Sequence, residues 1–536
     1  MELTTVEGNG SVTFDRNTTA SNRQDQGHAD KQDGNRNKQS IKDAAYEFSQ
    51  NTTAHGIPRA VAAESIPVRI IWLLICGLCW GVFLWQAATS VKNYFDYKVT
   101  YDISVEFRVL KFPAVTVCNI NPLRQSKLGE LGEEYRDQLG FLDFDYETDG
   151  NETSFDWNED VADEHIDETW WDSEEEGDYD EYDPEFASEV NLTTIMSLLP
   201  DDVRESIGHN KTDLIQDCTF NGVKCSPHNF SLVLNPKYGN CYSFNVGAND
   251  TEIASSSRPG PSKGLQLTLF IEQDEYLQGF TESAGAVVLI HPHKIVPFPE
   301  EQGNEIPPGF STSIGVRLSH IQRLGGKYGN CSEKSSGEEL LYDGFDYSTE
   351  ACRRTCFQRE VMESCNCYDP TMPHDGDNLL ACSEETDTNT CWSTISKQFN
   401  ADQLGCTADC PQACSVDSYK ETISMSLWPS EAYDFKLFSE LSKRSRKINE
   451  QLDSLDESRR NLVRLKVYYQ ELNYESIREK PALDTVALLS NLGGLIGLYI
   501  GASVISVFEF LEFLVTIFFL ATKKARKAGQ ISNMPT

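Results

Sequence analysis

Residues 486–512 read VALLSNLGGLIGLYIGASVISVFEFLE, and the apolar run that begins there continues to Leu520. One straight helix needs only ~20 residues to cross the ~30 Å hydrocarbon core of a bilayer, so this run is too long for one uninterrupted crossing. It also carries Glu509 and Glu512, and a charge at membrane depth is costly unless it faces water, a partner subunit or an ion path. The alternative is that the lipid-spanning part ends near Phe508.

Small residues interrupt the same run. Gly493, Gly497 and Gly501 recur every four residues along one helix face, and the ordinary explanation for that spacing is close packing between helices. Packing does not account for Ser503 or for the acidic pair that follows. Small residues also let a membrane helix break, and a break exposes backbone carbonyls to a water-filled path. Rings of carbonyls and carboxylates select cations in pores, so the pattern predicts a conducting segment.

A second apolar segment, Ile70–Ala88, has nineteen residues and no charge, and it predicts another membrane-spanning helix. Basic residues precede this segment at Arg59 and Arg69 and follow the later run from Lys523 to Lys527, and positive flanks favour the cytoplasmic side. Both termini are therefore predicted to be cytoplasmic and the middle extracellular. The predicted parts are a cytoplasmic N-terminus (1–66), a first transmembrane helix (67–91), an extracellular domain (92–483), a second transmembrane helix (484–520) and a cytoplasmic tail (521–536).

Fourteen of the sixteen cysteines lie between the two apolar segments, from Cys118 to Cys414. An even number confined to one segment predicts seven disulfides in an oxidising compartment. The alternative is zinc, since Cys365 and Cys367 are closely spaced, but zinc sites prefer CxxC pairs with a histidine or a second pair. Six glycosylation sequons in the same region fit an extracellular location, at Asn151, Asn191, Asn210, Asn229, Asn249 and Asn330.

The chain is strongly acidic, with a formal net charge of −37, which argues against nucleic acid as a partner because phosphate binding needs clustered Lys and Arg. The charge is concentrated in an insert, residues 143–189, that holds 22 Asp and Glu. So charged a stretch is typical of a solvated, poorly ordered segment. The alternative is that it concentrates cations near a pore mouth.

A series of short segments, in this order and spacing, resembles the degenerin and epithelial sodium channel (DEG/ENaC) family from about His55 to Glu512. The matching segments are His55-Gly56, 112–119 (FPAVTVCN), Cys218 with Cys225, 238–244 (YGNCYSF), 272–276 (EQDEY), 324–331 (LGGKYGNC), Cys406 with Cys410 and Cys414, 428–430 (WPS), 471–474 (ELNY), 489–494 (LSNLGG) and 501–503 (GAS). The resemblance implies a membrane protein with two transmembrane helices per subunit. It also implies a large disulfide-rich α/β extracellular domain (palm, finger, thumb, knuckle and β-ball) and a homotrimer in the plasma membrane.

The resemblance also implies roles for individual residues. Gly501, Ala502 and Ser503 match the family's selectivity filter, and Ser490 falls at its degenerin position, where bulky side chains hold channels open. The other implied site residues are Asn491, Gly494 and Gly497 in the outer pore, where amiloride-type blockers act; Glu509 and Glu512 in the inner pore; and His55, Gly56, Tyr94 and Tyr328 in gating. Tyr328 stands where the family usually has Trp. No cofactor is implied, and the permeant ion is Na⁺.

The family's pattern further implies a disulfide pairing, which sequence alone does not give. The implied pairs are Cys118–Cys241, Cys218–Cys225, Cys331–Cys414, Cys352–Cys410, Cys356–Cys406, Cys365–Cys391 and Cys367–Cys382.

Three ways of opening remain. Residues 306–315 (IPPGFSTSIG) resemble the invertebrate neuropeptide (FMRFamide)-gated branch, and a basic amidated peptide would suit an acidic ectodomain, so peptide gating is the leading hypothesis. A constitutively active epithelial type is favoured by residues 489–494 and 271–276, although the finger-like region lacks paired basic cleavage sites. Proton gating needs groups that titrate near neutral pH. The stretch 94–100 contains no histidine, although Asp274-Glu275 match one side of the acidic pocket of acid-sensing relatives.

Two non-channel classes are alternatives to this interpretation. A tethered enzyme is disfavoured because the sequence has no Gly-x-Ser-x-Gly, His-Glu-x-x-His or P-loop pattern. His291 and His293 have the spacing of metal ligands, but histidines beside prolines more often end a strand. A disulfide-rich cell-surface receptor is the second alternative, and it would need neither the Gly-Ala-Ser segment nor Glu509 and Glu512.

Overall fold

The computed structural model describes residues 41–130, 192–247, 252–277, 280–333, 340–376, 378–382, 388–444 and 446–531. The acidic insert at 143–189 and the sequon residues Asn151, Asn191 and Asn249 lie outside the described residues. The chain divides into two compact units. The first combines Met1–Lys98 with Ala482–Thr536, and the second is Val99–Pro481.

The first unit is helical in its described part. Its elements are α1 (Ile41–Asn51), α2 (Ile57–Ala62), α3 (Ile66–Phe95), α13 (Thr485–Leu495), a π-helix (Ile496–Ile500) and α14 (Val504–Ile531). Proline in the first turn of α3 costs no hydrogen bond, because the first helical N–H groups have no partner within the helix. None of the residues of α3 is buried, so its apolar side chains face outward as lipid-contacting side chains do.

Two helices of this unit are long and apolar enough to cross a membrane. They are Ile66–Phe95, with a mean hydropathy of 2.0, and Val504–Thr522, with a mean hydropathy of 2.2. The second apolar run is thus not one continuous helix. A helix starts where the Asp484 carboxylate accepts a hydrogen bond from the Ala487 N–H, passes through the π-helix and stops before Gly501. The break that small residues permit lies at 501–503.

The second unit is built on two sheets. Its strands are β1 (Val99–Phe107), β2 (Leu110–Lys111), β3 (Ala114–Asn119), β4 (Ile215–Phe220), β5 (Val223–Lys224), β6 (Phe230–Asn235), β7 (Gly239–Phe244), β8 (Ser255–Ser256), β9 (Leu265–Phe270), β10 (Ala286–His291), β11 (Asn304–Ile306), β12 (Phe310–Gln322), β13 (Cys367–Tyr368), β14 (Leu380–Ala381), β15 (Ser415–Leu427), β16 (Leu462–Tyr469) and β17 (Asn473–Pro481). The eight-stranded sheet has the order β1-β17-β12-β16-β9-β4-β5, with β15 paired to β12. The five-stranded sheet has the order β11-β10-β3-β7-β6.

The two sheets share one apolar core. Val117 and Val288 of the smaller sheet and Leu267, Leu465 and Val467 of the larger one are buried in the same cluster. In β16 buried and half-buried residues alternate, as expected when one face of a strand packs on a core. Burying each such Leu or Val side chain stabilises the fold by roughly 1.5–3 kcal/mol.

Helices surround these sheets in the second unit. They are α4 (Asp201–Ile207), α5 (Lys211–Leu214), α6 (Pro299–Gln302), α7 (Thr349–Cys365), α8 (Thr388–Asn400), α9 (Cys406–Asp409), α10 (Glu431–Leu441), α11 (Arg446–Gln451) and α12 (Leu455–Asn461). In α7, Ser348 is the N-cap, because its side chain accepts a hydrogen bond from the Ala351 N–H. Asn366 ends this helix in the left-handed conformation that asparagine tolerates better than most residues.

Seven disulfides hold the second unit together, and they are the seven pairs that the family resemblance implies. Cys118–Cys241 joins the neighbouring strands β3 and β7. Three others join α7 to α8, to α9 and to Cys410 just after α9, and Cys367–Cys382 joins β13 to the residue after β14; the apolar core in this region is small. Because these thiols are oxidised, they are not available as zinc ligands, and the zinc alternative is wrong for these cysteines.

Candidate functional site

The predicted filter residues form the break in the second apolar run. Gly501 adopts a positive φ of 67°, the left-handed conformation that only glycine reaches at little cost. A Cβ at this position would lie 2.1 Å from Nδ1 and 2.4 Å from Cγ of His55. Glycine is therefore required here for two independent reasons, the backbone conformation and the space beside the imidazole.

The segment before the first span lies against this break. The backbone N–H of His55 donates to the carbonyl oxygen of Ile500 at 2.9 Å, so the last carbonyl of the π-helix has a partner. Gly56 has a positive φ of 88° and precedes α2, and a Cβ there would lie 2.5 Å from Cys76 Sγ. The structure thus brings the adjacent residues His55 and Gly56 close to Gly501, which lies more than 400 residues later in the chain.

The two acidic residues after the break have different surroundings. Glu509 is half-buried, and its Oε2 accepts a hydrogen bond from the Thr53 N–H at 3.0 Å and from the Thr53 hydroxyl at 3.2 Å. Glu512 is exposed, and among the side chains that the structure describes none hydrogen-bonds its carboxylate. Sequence reasoning treated them as an equivalent pair, and it missed Thr53 and Ser506. A polar Ser506 three residues before Glu509 on a membrane helix was the available signal.

The outer part of the second run faces α3. A groove of about 610 Å³ separates them and is lined by Trp85, Gln86, Thr89, Ser90, Ser490, Asn491, Gly494, Leu495 and Leu498. The Gln86 amide donates to the Tyr499 hydroxyl at 3.1 Å across the same pair of helices. The predicted outer-pore residues Ser490, Asn491 and Gly494 therefore share one surface.

The small residues of this run are not needed for packing inside the chain. A Cβ added at Gly493, Gly494 or Gly497 would meet no described atom within 4 Å. Close approach to α3 is therefore not the reason for these glycines. Their face is open in the single chain, and its neighbour would be lipid, another subunit or a water-filled path.

The two remaining predicted gating residues, Tyr94 and Tyr328, belong to different units. Tyr94 is in the last turn of α3, in the first unit, and its ring contacts Phe95. Tyr328 is half-buried after β12, in the second unit.

Among the described sequons, the asparagines are all exposed, at Asn210, Asn229 and Asn330.

A buried ionic cluster in the second unit was not predicted. Glu272 is fully buried, and its Oε2 lies 2.9 Å from Nδ1 of His209, while Lys447 of α11 forms an ion pair with its Oε1. Lys447 also lies 3.5 Å from Oε1 of Glu275. The partners come from three distant parts of the chain, so no local spacing could have indicated the cluster.

The electrostatics of this cluster follow from burial and pairing. Burial alone would raise the pKa of Glu272, but hydrogen bonding and attraction from His209 and Lys447 outweigh it and hold the pKa below its ordinary value. The pKa of Glu275 is also lowered, because hydrogen bonds from Ser126 and the charge of Lys447 outweigh burial. Burial alone would lower the pKa of Lys447. The carboxylates of Glu272 and Glu275 raise this pKa by more than burial lowers it, so the net shift is upward.

His291 and His293, whose spacing could also suit a metal, have structural partners. His291 is buried with its Nε2 2.8 Å from the Thr116 hydroxyl, and burial lowers its pKa to about 4. His293 Nε2 lies 2.7 Å from the carbonyl oxygen of Phe112. Within the described residues, no group of three His, Cys, Asp or Glu side chains is placed to hold a metal ion.

Comparison with known proteins connects this geometry to a described family. A family model described as amiloride-sensitive sodium channel matches residues 48–513. The alpha subunit of the epithelial sodium channel of Neoceratodus forsteri is 31% identical over 516 residues, covering 86% of this chain and 77% of that protein. The beta-2 subunit of Xenopus laevis is 29% identical over 548 residues (89% and 83%). The gamma subunit of Mus musculus is 30% identical over 570 residues (91% and 84%).

Proposed function

The chain belongs to the amiloride-sensitive sodium channel family, and we propose that Gly501, Ala502 and Ser503 form its selectivity filter. Membership of this family makes it a sodium channel protein of the plasma membrane and not an enzyme. The observation that carries the proposal is the break in the second span at these residues. A break frees backbone carbonyls from the helical ladder, and carbonyl rings can replace the hydration shell of a cation.

The pore requires more than one subunit, since two spans cannot enclose a channel. The open glycine face of Gly493, Gly494 and Gly497 supports a neighbouring subunit there. The relatives are named as alpha, beta and gamma subunits, which indicates that those proteins assemble with others. Our proposal is three subunits around one pore, as a homotrimer, with Ser490 and Asn491 at the outer pore where amiloride would bind.

The first candidate for opening is an extracellular FMRFamide-like neuropeptide. Its support is the resemblance of residues 306–315 to the peptide-gated branch, together with the acidic ectodomain, which would attract a basic peptide. In the structure this segment includes the turn from β11 into β12 and the first part of β12, with Ile306 and Ile314 buried in the core. Packing therefore explains part of that segment without a ligand, and the electrostatic argument becomes the stronger of the two.

The second candidate is an epithelial-type channel that conducts without a peptide. The specific observation in its favour is that the relatives at 29–31% identity are named epithelial sodium channel subunits. Proton gating has less support. Glu275 matches the acidic pocket of acid-sensing relatives, yet its pKa and that of Glu272 are held below the ordinary carboxyl range, away from the pH at which such channels would open.

Whole-cell recording from cells that express the chain tests both how the channel opens and which residues form its filter. Current evoked by FMRFamide supports the first candidate, amiloride-blocked current at rest supports the second, and current only at pH 5 supports proton gating. The filter assignment predicts that Ser503→Ala changes the Na⁺/K⁺ permeability ratio. Normal surface expression without current under any condition would favour the receptor alternative for the chain on its own.

A further inference from the structure

A chain of hydrogen bonds connects the segment before the first span to the predicted filter. The backbone N–H of Ser503 donates to the Ser506 hydroxyl oxygen at 3.0 Å. The hydroxyls of Ser506 and Thr53 are in direct hydrogen-bond contact, and the Thr53 hydroxyl lies 3.2 Å from Oε2 of Glu509. Ser506 is buried, with 8% of its surface exposed, so its hydroxyl depends on these protein partners, while Thr53 is exposed.

The hydrogen bonds of this chain follow one direction. A hydroxyl carries a single proton, and the Thr53 hydroxyl donates its proton to Oε2 of Glu509. Ser506 must then donate to the oxygen of Thr53, and its own oxygen accepts from the Ser503 N–H. Every donor points toward Glu509, and bonds aligned in this way strengthen one another in a low-dielectric environment.

This chain determines the direction of a filter carbonyl. The peptide bond between Ala502 and Ser503 is planar and trans, so the Ala502 carbonyl points opposite to the Ser503 N–H. Fixing the N–H on Ser506 therefore fixes the carbonyl on the other side. The neighbouring Ile500 carbonyl is occupied by the His55 N–H at 2.9 Å, so it cannot turn toward an ion without losing that bond.

We propose that Thr53, Ser506 and Glu509 are positioning residues that aim the Ala502 carbonyl of the filter and thereby contribute to ion selectivity. The inference rests on the proposed filter at 501–503. It gives the two acidic residues of the second span separate functions. Glu509 anchors the hydrogen-bond chain, and the exposed Glu512 remains available to a passing cation.

Reversal potentials under bi-ionic Na⁺/K⁺ conditions test the selectivity part. We expect Thr53→Val, which keeps the shape and removes the hydroxyl, to lower the Na⁺/K⁺ permeability ratio about two- to tenfold, the range set by the net strength of one hydrogen bond. Thr53→Ser should restore the ratio. Ser506→Ala should act like Thr53→Val, and the double variant should be no worse than either single one, because all three break the same chain.

Thr52→Val is the matched control. The Thr52 hydroxyl lies 3.5 Å from the same Glu509 oxygen, but its contacts do not extend to Ser506, so its loss should leave the ratio unchanged. Equal effects of Thr52→Val and Thr53→Val would contradict the proposal, as would a normal permeability ratio in Thr53→Val.

Cross-linking tests the geometry without any current. In full-length protein with Cys76→Ala and Cys79→Ala, mild oxidation should join the Thr53→Cys and Ser506→Cys thiols in cell membranes, and it should not join Thr52→Cys to Ser506→Cys. Absence of the first cross-link would overturn the proposal. If the wild-type chain carries no current while the cross-link forms, the function proposed above fails and the packing of Thr53 on the second span stands.

Discussion

The buried ion pair between Lys447 and Glu272 gives the sharpest stability prediction. We consider Lys447→Met, which keeps a long side chain and removes the ammonium. Oε1 of Glu272 would then have no partner among the described residues, while the side chain stays fully buried. Breaking a buried pair costs about 3–5 kcal/mol, but Lys447 is 33% exposed and water can partly replace it, so we expect about 2–3 kcal/mol.

Thermal unfolding of the full-length protein in detergent measures this loss. For a domain of several hundred residues, roughly 2 °C of apparent Tm corresponds to each kcal/mol, so the ectodomain transition should fall by about 4–6 °C at pH 7. The value is an apparent Tm, because a protein with two units need not unfold in one step. Lys443→Met is the matched control, since this exposed lysine precedes the same helix and its loss should leave Tm unchanged.

The pH dependence has a defined sign. In the wild type the pKa of Glu272 is lowered below the ordinary value of 4.5, so its stabilising contribution is present above pH 4.5 and is lost as pH falls through the lowered pKa. In Lys447→Met, Glu272 keeps His209 but loses the second partner that lowers its pKa, so we expect the pKa to rise. The Tm deficit should therefore be largest at neutral pH and shrink as pH falls toward 4.5.

A second variant separates charge from packing. Adding Glu272→Gln to Lys447→Met removes both charges and should recover most of the lost Tm, because replacing both partners of a buried pair is often close to neutral. The reasoning is refuted if Lys447→Met melts within about 1 °C of the wild type at pH 7, or if its deficit grows on acidification.

Three further predictions concern the pore and the topology. Gly501→Ala should abolish most of the current, because the left-handed conformation costs about 1–2 kcal/mol for other residues and the new Cβ overlaps the His55 ring. Adding His55→Ala should restore only part of the current, and full recovery of the current would show that the backbone conformation does not matter. Ser490→Phe should fill the groove beside Trp85 and raise the resting current, and an unchanged resting current with normal surface expression would contradict this. Asn330→Gln should remove one glycan, seen as a faster band on a gel that matches the band of Ser332→Ala, and unchanged mobility would count against glycosylation at this site.

Sequence reasoning reached the parts of this protein that depend on local pattern or on motif order. Two apolar segments indicated the membrane spans, and the even number of cysteines between them indicated the disulfides. Family motifs supplied the pairing, which spacing could not.

What sequence reasoning missed depends on long-range contact. Glu272 pairs with a histidine 63 residues away and with a lysine from α11, and no periodicity links such partners. The same holds for Thr53, whose hydroxyl meets a side chain 453 positions later in the chain. At residues 306–315, which resemble the peptide-gated branch, the sequence did not show that Ile306 and Ile314 are buried in the core.

The Cys118–Cys241 disulfide has a consequence for how this chain can vary in length. It closes a loop of 123 residues that contains the acidic insert, residues 143–189. The closure entropy of the unfolded chain grows only with the logarithm of loop length, so deleting those 47 residues would change it by only about 0.4 kcal/mol. Changes in the length of residues 143–189 therefore alter this closure entropy very little, and the disulfide places almost no constraint on how long that segment is.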